Sequence, residues 1–451
     1  MRDTKSILDN IREYTDLLKG DELSQLVGDL TVADLLEIWE SLSEQERTSI
    51  FLLLDIDRKV DLITGLSNAE QERLIERLPM ANMKLLLREM EPDDLVDVIQ
   101  AVSPEVRKSV WSSLSDDAKR ETEFLLRWDE DDAAGLMTPR YVAVRSNLTV
   151  GQAMQFVRRS IKDVETIYYI YVVDELKRLA GVLSLRDLLG TDDQIRLADA
   201  MVDEVVSVRE ETDQEEVARV LEAHGLIAIP VVDRFSRLLG IITFDDVIDV
   251  IRDEQTEDIY KMASMEGGTE KYLETSVFGL VKKRIPWLAI LLVAGTITTN
   301  VLDAYQPLIL GAAFLALFIP VITQTGGNSG TQSATLVIRG LATGDIHFHE
   351  AGRVLLKELA VGIVLGLCMG VIIVARSVFL PPGIGLFQGL VIGLSLIFVV
   401  LCSTIIGAFA PLVIHKMGFD PAVMAGPLMA TVIDVIGLTI YFETARLVLG
   451  L

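Results

Sequence analysis

Residues 281–302 read VKKRIPWLAILLVAGTITTNVL, in which a basic triplet, Lys282-Lys283-Arg284, is followed by eighteen residues without a charge. Such a run approaches the ~20 residues an α-helix needs to cross a ~30 Å hydrocarbon core. Residues 304–338, 359–375 and 377–415 are equally uncharged, and 421–451 is apolar apart from Asp434, Glu443 and Arg446. A buried soluble core explains one such run but not five in succession, so five membrane-spanning helices are expected. Lys282 to Arg284 precede the first span, Arg339, Arg353 and Lys357 lie between the second and third, and Lys416 lies between the fourth and fifth, while the opposite loops carry only Arg376. Short Lys/Arg-rich loops stay on the side of synthesis, which places residues 1–284 in the cytosol and the C-terminus outside, in a multi-pass protein of the cell (inner or plasma) membrane. The charged opening MRDTKSILDNIREYTDLLKG lacks the apolar stretch of a signal peptide and agrees with that orientation. An odd number of spans without an internal membrane repeat points to a pore, if there is one, completed by a second copy of the chain.

Residues 285–451 carry six Lys and Arg against seven Asp and Glu, so nearly all of the formal net charge of −25 belongs to the first 284 residues. That balance repels nucleic acid and anionic surfaces and favours cations, although an acidic surface also simply keeps a domain soluble. Cys368 and Cys402 both lie in apolar runs and the four histidines are scattered, which leaves a hard cation bound through oxygen as the metal chemistry to expect.

The acidic region contains a pair of internal repeats. Leu30, Leu54, Leu78 and Val102 are spaced by 24, as are Leu42, Leu66, Met90 and Leu114, and Ser43-Glu44, Ser67-Asn68, Ser103-Pro104 and Ser115-Asp116 supply helix starts between them. A stack of short helix pairs is expected over residues 1–130. Over 131–251, Tyr171-Val172-Val173-Asp174 followed by Gly181 to Asp187 returns 59 residues later as Pro230-Val231-Val232-Asp233 followed by Gly240 to Asp246. This strand–turn–strand–helix layout is similar to a tandem pair of CBS modules, which gives a multidomain chain: an all-α helical-repeat domain, an α/β tandem CBS domain, an acidic linking helix over 252–284 and an α-helical five-span transmembrane domain over 285–451.

Three features carry chemistry. Asp434 is the one ionisable residue near the middle of an expected span, where a carboxylate costs roughly 2.5–3.5 kcal/mol, so it should face a water-filled path or a partner. Gly426-Pro427-Leu428-Met429-Ala430-Thr431 before it offers small residues and a broken helix start. Thr325-Gly326-Gly327-Asn328-Ser329-Gly330-Thr331 after Pro320 should fray the second span and expose carbonyls to a conduit, the competing reading being a helix-packing patch. Asp246, Asp249, Asp253 and Glu257 fall on one helical face with Glu254 and Asp258 beside it, which is either a solvated face or a site whose repulsion a cation relieves.

Gly326-Gly327-Asn328-Ser329-Gly330, Gly418-Phe419-Asp420-Pro421 and Ala430-Thr431-Val432-Ile433-Asp434, in this order behind the helical repeat and the CBS pair, resemble the MgtE-type magnesium transporter family over the whole chain. The resemblance implies a homodimer in the lipid bilayer with its pore on the two-fold axis and Asp434, Ala430 and Gly327, with Asn328, Thr431 and Gly426, along the ion pathway. It further implies that the linking helix is a plug, that regulatory Mg²⁺ lies near Asp213, Glu215, Asp246, Asp249, Glu254, Glu257, Asp258 and Asp420, and that Asp93 and Asp97 contribute across to the CBS modules. Gly426 and Thr331 stand where some members have asparagine, which leaves selectivity among Mg²⁺, Co²⁺ and other divalents open. CBS modules often bind ATP or another adenosine nucleotide; Tyr169, Arg186 and Asp187 would form that pocket, with Leu226 where stacking favours an aromatic.

The resulting expectation is a Mg²⁺-gated magnesium channel or transporter that closes when intracellular Mg²⁺ is high, with Mg²⁺ as both substrate and regulator. No P-loop or catalytic triad is visible, and no enzymatic chemistry or nucleic-acid partner is expected. The alternatives are a less selective divalent cation importer and a membrane-anchored CBS sensor that conducts nothing.

Overall fold

The computed structural model describes residues 4–16, 20–267, 272, 275–381 and 383–450. The chain divides into two units, Met1–Arg252 and Asp253–Leu451.

In the first unit, short helices of 8 to 13 residues succeed one another between Thr4 and Leu125. All eight residues of the two 24-residue series are buried, and Leu54, Leu78, Met90, Val102 and Leu114 each close a helix as its C-cap. One buried apolar side chain per turn between helices is what makes the repeat, since each helix is too short to hold alone and gains stability by covering its neighbour. Ser43 and Ser115 cap their helices through side-chain hydrogen bonds, whereas Ser67 and Ser103 start theirs without one. The helix Pro92–Ala101 (α1) carries Asp93, Asp94 and Asp97.

Two three-stranded sheets follow. Strands β1 (Ala143–Arg145), β2 (Tyr169–Val173) and β3 (Leu179–Ser184) form one, and β4 (Val208–Arg209), β5 (Ala228–Val232) and β6 (Leu238–Thr243) the other, each with a parallel first pair and an antiparallel second pair. The 59-residue echo is thus a repeated fold, down to the left-handed turn residues Lys177 and Ser236, φ 62° and 61°. Leu179 N donates to Ser236 O at 2.9 Å and Leu238 N to Lys177 O at 3.1 Å, so the two hairpins bond each other.

The copies differ after their last strand. The first ends in a six-residue helix, Leu185–Gly190, while the second continues for 19 residues as Phe244–Met262 (α2). The acidic helix is therefore the elongated last helix of the second CBS copy. It ends at Met262, not near Arg284 as the expected 252–284 segment had it, and Lys282, Lys283 and Arg284 lie inside the next helix; residues 268–271, 273 and 274 of that segment lie outside the described residues.

The second unit is built on five long helices, Val277–Ala304 (α3), Phe314–Ala342 (α4), Ala351–Phe379 (α5), Leu386–Lys416 (α6) and Gly426–Leu449 (α7), of 24 to 31 residues. Among the described residues α3, α5 with its short lead-in, and α6 are long and apolar enough to cross a membrane by length and composition. The other two are interrupted by polar residues in mid-helix. On α3 and α5 large apolar side chains such as Leu292, Val293, Val364 and Val371 face outward, as suits a surface in lipid.

The expected fraying of the second span does not occur. Helix α4 runs unbroken through Pro320 and the glycines, because neighbouring helices close on them. A Cβ on Gly326 would lie 2.9 Å from Val399, and one on Gly407 of α6 would lie 2.2 Å from the carbonyl oxygen of Gly330. Backbone this close cannot yield to a side chain, so Gly407→Ala is expected to force α4 and α6 apart at a cost of about 1–3 kcal/mol or more, seen as a lower midpoint in thermal unfolding of the detergent-solubilised protein.

Candidate ion pathway and acidic cation site

Two sites emerge, one in each unit. In the helical unit α4 and α7 enclose an open cavity of about 400 Å³ lined by Thr323, Gln324, Gly327, Asn328 and Thr331 from α4 and by Gly426, Pro427, Ala430 and Asp434 from α7. Gly326 and Gly330 turn away from it into the packing against Ile433 and α6, while Gly327 faces Ala430 with room to spare, a built Cβ standing 3.6 Å from that of Ala430. One glycine-rich motif thus serves both readings, with alternate faces packing and lining. Thr431 is not among the lining residues, and its hydroxyl donates to the carbonyl of Pro427 at 2.9 Å. The lining residues that sequence reasoning passed over are Thr323 and Gln324, immediately before the motif and one turn from Gly327 and Asn328.

At the start of α7, Gly426 adopts φ +57°, and a Cβ there would lie 2.3 Å from the carbonyl oxygen of Met262, the last residue of α2. Only glycine tolerates both the left-handed backbone and that approach. Beside this contact Lys261 Nζ lies 2.8 Å from Asp420 Oδ2 and also pairs with Glu257. Burial by itself lowers the Lys261 pKa, but hydrogen bonds to Asp420 and Glu257 outweigh it and raise the pKa above that of a free lysine. Burial and the nearby Asp420 raise the pKa of Asp258. The end of α2 is therefore fastened by an ammonium set among three carboxylates. On the far side of α4 the Ser333 hydroxyl donates to Glu358 Oε2 at 2.6 Å, an acidic residue of α5 that periodicity did not single out.

In the first unit Asp93, Glu165 and Asp246 each offer a carboxylate oxygen within 4.8 Å of the other two. Asp93 comes from the start of α1, Glu165 from the loop before β2 and Asp246 from the first turn of α2, where it caps Thr243. Asp93 Oδ1 and Glu165 Oε2 are buried without a hydrogen-bond partner. Burial, reinforced by Glu165, Asp246 and Asp94, raises the Asp93 pKa well above its ordinary value, and burial with Asp246 pushes Glu165 up to about 8. Asp94 is pushed to about 7 and Asp246 to about 6, burial leading in each. Arg140 sits beside the cluster and bridges Glu91 and Glu121 at 3.2 Å each, so the cation that holds the helical domain to the CBS pair neutralises its own partners and not these three. Oxygen donors with surplus negative charge and unused lone pairs match a hard divalent cation, whose bonds of about 2.1 Å would require only a small contraction of the trio.

The remaining expected metal residues are dispersed. Asp213 caps its helix by accepting from Glu215 N at 2.9 Å and forms a bridge with Asp132. Asp249 is exposed and pairs with Arg252, whereas Asp97 stays near the trio: burial, with Glu130 and Asp246 as charged neighbours, pushes its pKa up to about 6. Glu254 makes contacts of its own, and Asp420 also caps Ala422 N at 2.8 Å. Of the nucleotide candidates, Tyr169 opens β2 opposite Ser184, whose hydroxyl bonds Asp187, and Arg186 is exposed next to it.

The raised carboxylate pKa values carry a pH signature. Below about pH 4 these groups are protonated folded or unfolded, and between about pH 4 and pH 8 the unfolded chain releases protons that the folded one retains. Stability without divalent cations should therefore fall as pH rises through that window, and added Mg²⁺ should stabilise more at about pH 8 than at about pH 6, measured by protease resistance of the first unit in chelator and in Mg²⁺.

The profile of the MgtE divalent cation transporter family matches residues 319–444, that of the MgtE intracellular N domain matches 30–131, and the CBS domain profile matches 133–192 and 197–253. Magnesium transporter MgtE of Thermus thermophilus is 40% identical over 444 residues, covering 96% of this chain and 97% of that protein. Magnesium transporter MgtE of Bacillus subtilis is 30% identical over 99% of this chain and 94% of its own length. Among solved structures, the cytosolic domain of the Mg²⁺ channel MgtE in complex with ATP is 41% identical, with a TM-score of 0.52 over 53% of this chain and 98% of that one. With relatives matched along nearly their whole length and its three regions each claimed by a profile, the chain belongs to the MgtE family of divalent cation transporters.

Proposed function

We propose that this protein is a Mg²⁺-conducting channel or transporter whose acidic cytosolic region binds Mg²⁺ and shuts the pathway when the ion is abundant inside. The observation that carries the reading is the α4–α7 cavity, where Asp434 shares a wall with Asn328, Gly327, Ala430 and Gly426 between two long helices of the apolar unit. A carboxylate there is tolerated because it meets water and ions instead of lipid. A largely hydrated Mg²⁺ suits such a wall of one carboxylate, amides and carbonyls. No energy source beyond the membrane potential is needed, since an inward-moving divalent cation gains about 4.6 kcal/mol per 100 mV.

For closure, the end of α2 rests at the mouth of the cavity, with Met262 against Gly426 and Lys261 bound to Asp420. A divalent cation between Asp93, Glu165 and Asp246 would cancel their repulsion and draw them together, and Asp97, Asp213, Glu215, Asp249, Glu254, Glu257 and Asp258 supply further negative charge along the same stretches of the chain. The relatives named above as magnesium transporters support Mg²⁺ as the ion. In this reading residues 1–284 are cytosolic, two copies meet with their α4–α7 cavities on a shared axis, and Tyr169, Arg186 and Asp187 border an adenosine nucleotide site, for which the ATP complex of the homologous cytosolic domain is the support.

The test is reconstitution of the full chain into proteoliposomes. Mg²⁺ entry should exceed that of empty vesicles and should fall when Mg²⁺ is raised on the cytosolic face. Protease protection by Mg²⁺ without any flux would instead make the protein a membrane-anchored sensor.

A further inference from the structure

Gln324 is a cavity residue to which neither the glycine motif nor the charge pattern assigns a role. Helices α4 and α7 run antiparallel: the Tyr441 hydroxyl donates to Leu315 O at 3.0 Å, Gly327 faces Ala430, and Ala334 and Ile338 pack with Ala422, Ala425 and Met429. One turn from Gly327 toward the start of α4 and one turn from Ala430 toward the end of α7 lead in the same direction by the same rise. They end at Thr323 and Gln324 on one helix and at Asp434 on the other, and all three line the cavity. The Thr323 hydroxyl is turned back onto the carbonyls of Ile319 and Pro320, at 3.1 and 3.2 Å. The Gln324 carboxamide is exposed, and no hydrogen bond to it is made by the described residues. Deeper along the same wall, where Gly426 and Thr331 bring no amide, Asn328 supplies the other carboxamide of the cavity.

We propose that Gln324 is a selectivity-determining residue, its carboxamide oxygen accepting hydrogen bonds from the water shell of the divalent cation whose charge Asp434 balances. This rests on the α4–α7 cavity being the ion pathway. Water bound to a small divalent cation is a strong, directed donor, and Mg²⁺ keeps that water where the larger Ca²⁺ exchanges it for flexible oxygen ligands. An acceptor at the height of the carboxylate therefore favours the hydrated Mg²⁺ over Ca²⁺. A glutamine that is merely a polar surface group would have no effect on the ratio between the two ions.

The experiment compares Mg²⁺ and Ca²⁺ flux through the full chain in proteoliposomes for the parent, Gln324→Met, Gln324→Glu and Asp434→Ala. Gln324→Met keeps the length and loses the acceptor, so the Mg²⁺:Ca²⁺ flux ratio should drop about threefold to tenfold, the loss expected for one hydrogen bond. Gln324→Glu keeps acceptor oxygens and should retain the parent preference for Mg²⁺. Elution and thermal unfolding like the parent's establish that the exposed substitutions leave the fold intact. A parent-like ratio in Gln324→Met, with Asp434→Ala silent, overturns this proposal and leaves the pathway standing. Parent-like flux in Asp434→Ala overturns the pathway and this proposal with it.

Discussion

Asp434→Ala should reduce Mg²⁺ flux about 10- to 100-fold, to the level of empty vesicles, because the interaction removed is a charge-assisted one with a divalent cation. Mid-membrane carboxylates are costly enough, roughly 2.5–3.5 kcal/mol, that alanine should leave the thermal stability of the helical unit unchanged or higher. A loss of transport with a gain in stability is the signature of a residue kept for function. Asp434→Asn separates charge from shape: it preserves the polar volume beside Gly327 and Asn328 but cannot balance a divalent cation, and it too should be nearly silent. Protection of the first unit by Mg²⁺ should be untouched in both variants, since its trio does not involve α7. Parent-like flux in Asp434→Ala would remove the pathway and favour the sensor.

The second large effect is expected from neutralising that trio. In the parent, Mg²⁺ at about 100 times its dissociation constant adds about 2.7 kcal/mol to the bound form and should slow proteolysis that requires local opening about 100-fold. The triple variant Asp93→Asn, Glu165→Gln, Asp246→Asn keeps the shapes and removes the charges. It should resist protease better than the parent in chelator, because the like-charge repulsion is gone, and gain almost nothing from Mg²⁺, because the ligands are gone as well. Its flux should no longer fall when cytosolic Mg²⁺ is raised. Glu165→Gln alone is informative because no sequence pattern singles it out; if it leaves the Mg²⁺ dependence intact, the site is an Asp93–Asp246 pair and the third carboxylate is incidental.

Much of this protein is written along the chain itself. Leu30, Leu54, Leu78 and Val102 mark the helix stack because each repeat buries the same position, so burial and sequence share one period. The β2–β3 and β5–β6 hairpins are legible for the same reason, and the uncharged runs are legible because length and the absence of charge are sufficient evidence for a helix of membrane span. Asp434 is conspicuous by sequence alone, since a carboxylate near the middle of an apolar run is costly unless it meets water or a partner.

What remained hidden depends on segments that meet only after folding. Glycines that should fray an isolated helix leave α4 unbroken, because Gly330 and Gly407 let two backbones touch and the lost helix propensity is recovered in packing. Glu165 sits in a loop without periodicity and becomes a ligand candidate only where α1 and the start of α2 converge on it. The acidic face read as one stripe is divided, Asp246 joining the trio of the first unit and Glu257 the Lys261–Asp420 clasp of the second. Local composition and spacing determined the kinds of element and the residues too costly to be accidental. Which carboxylates stand together was decided by the convergence of α1, the loop before β2 and the start of α2, and which amide stands level with Asp434 by the antiparallel pairing of α4 and α7, because electrostatic and hydrogen-bond energies depend on distance in space and carry no trace in the spacing along the chain.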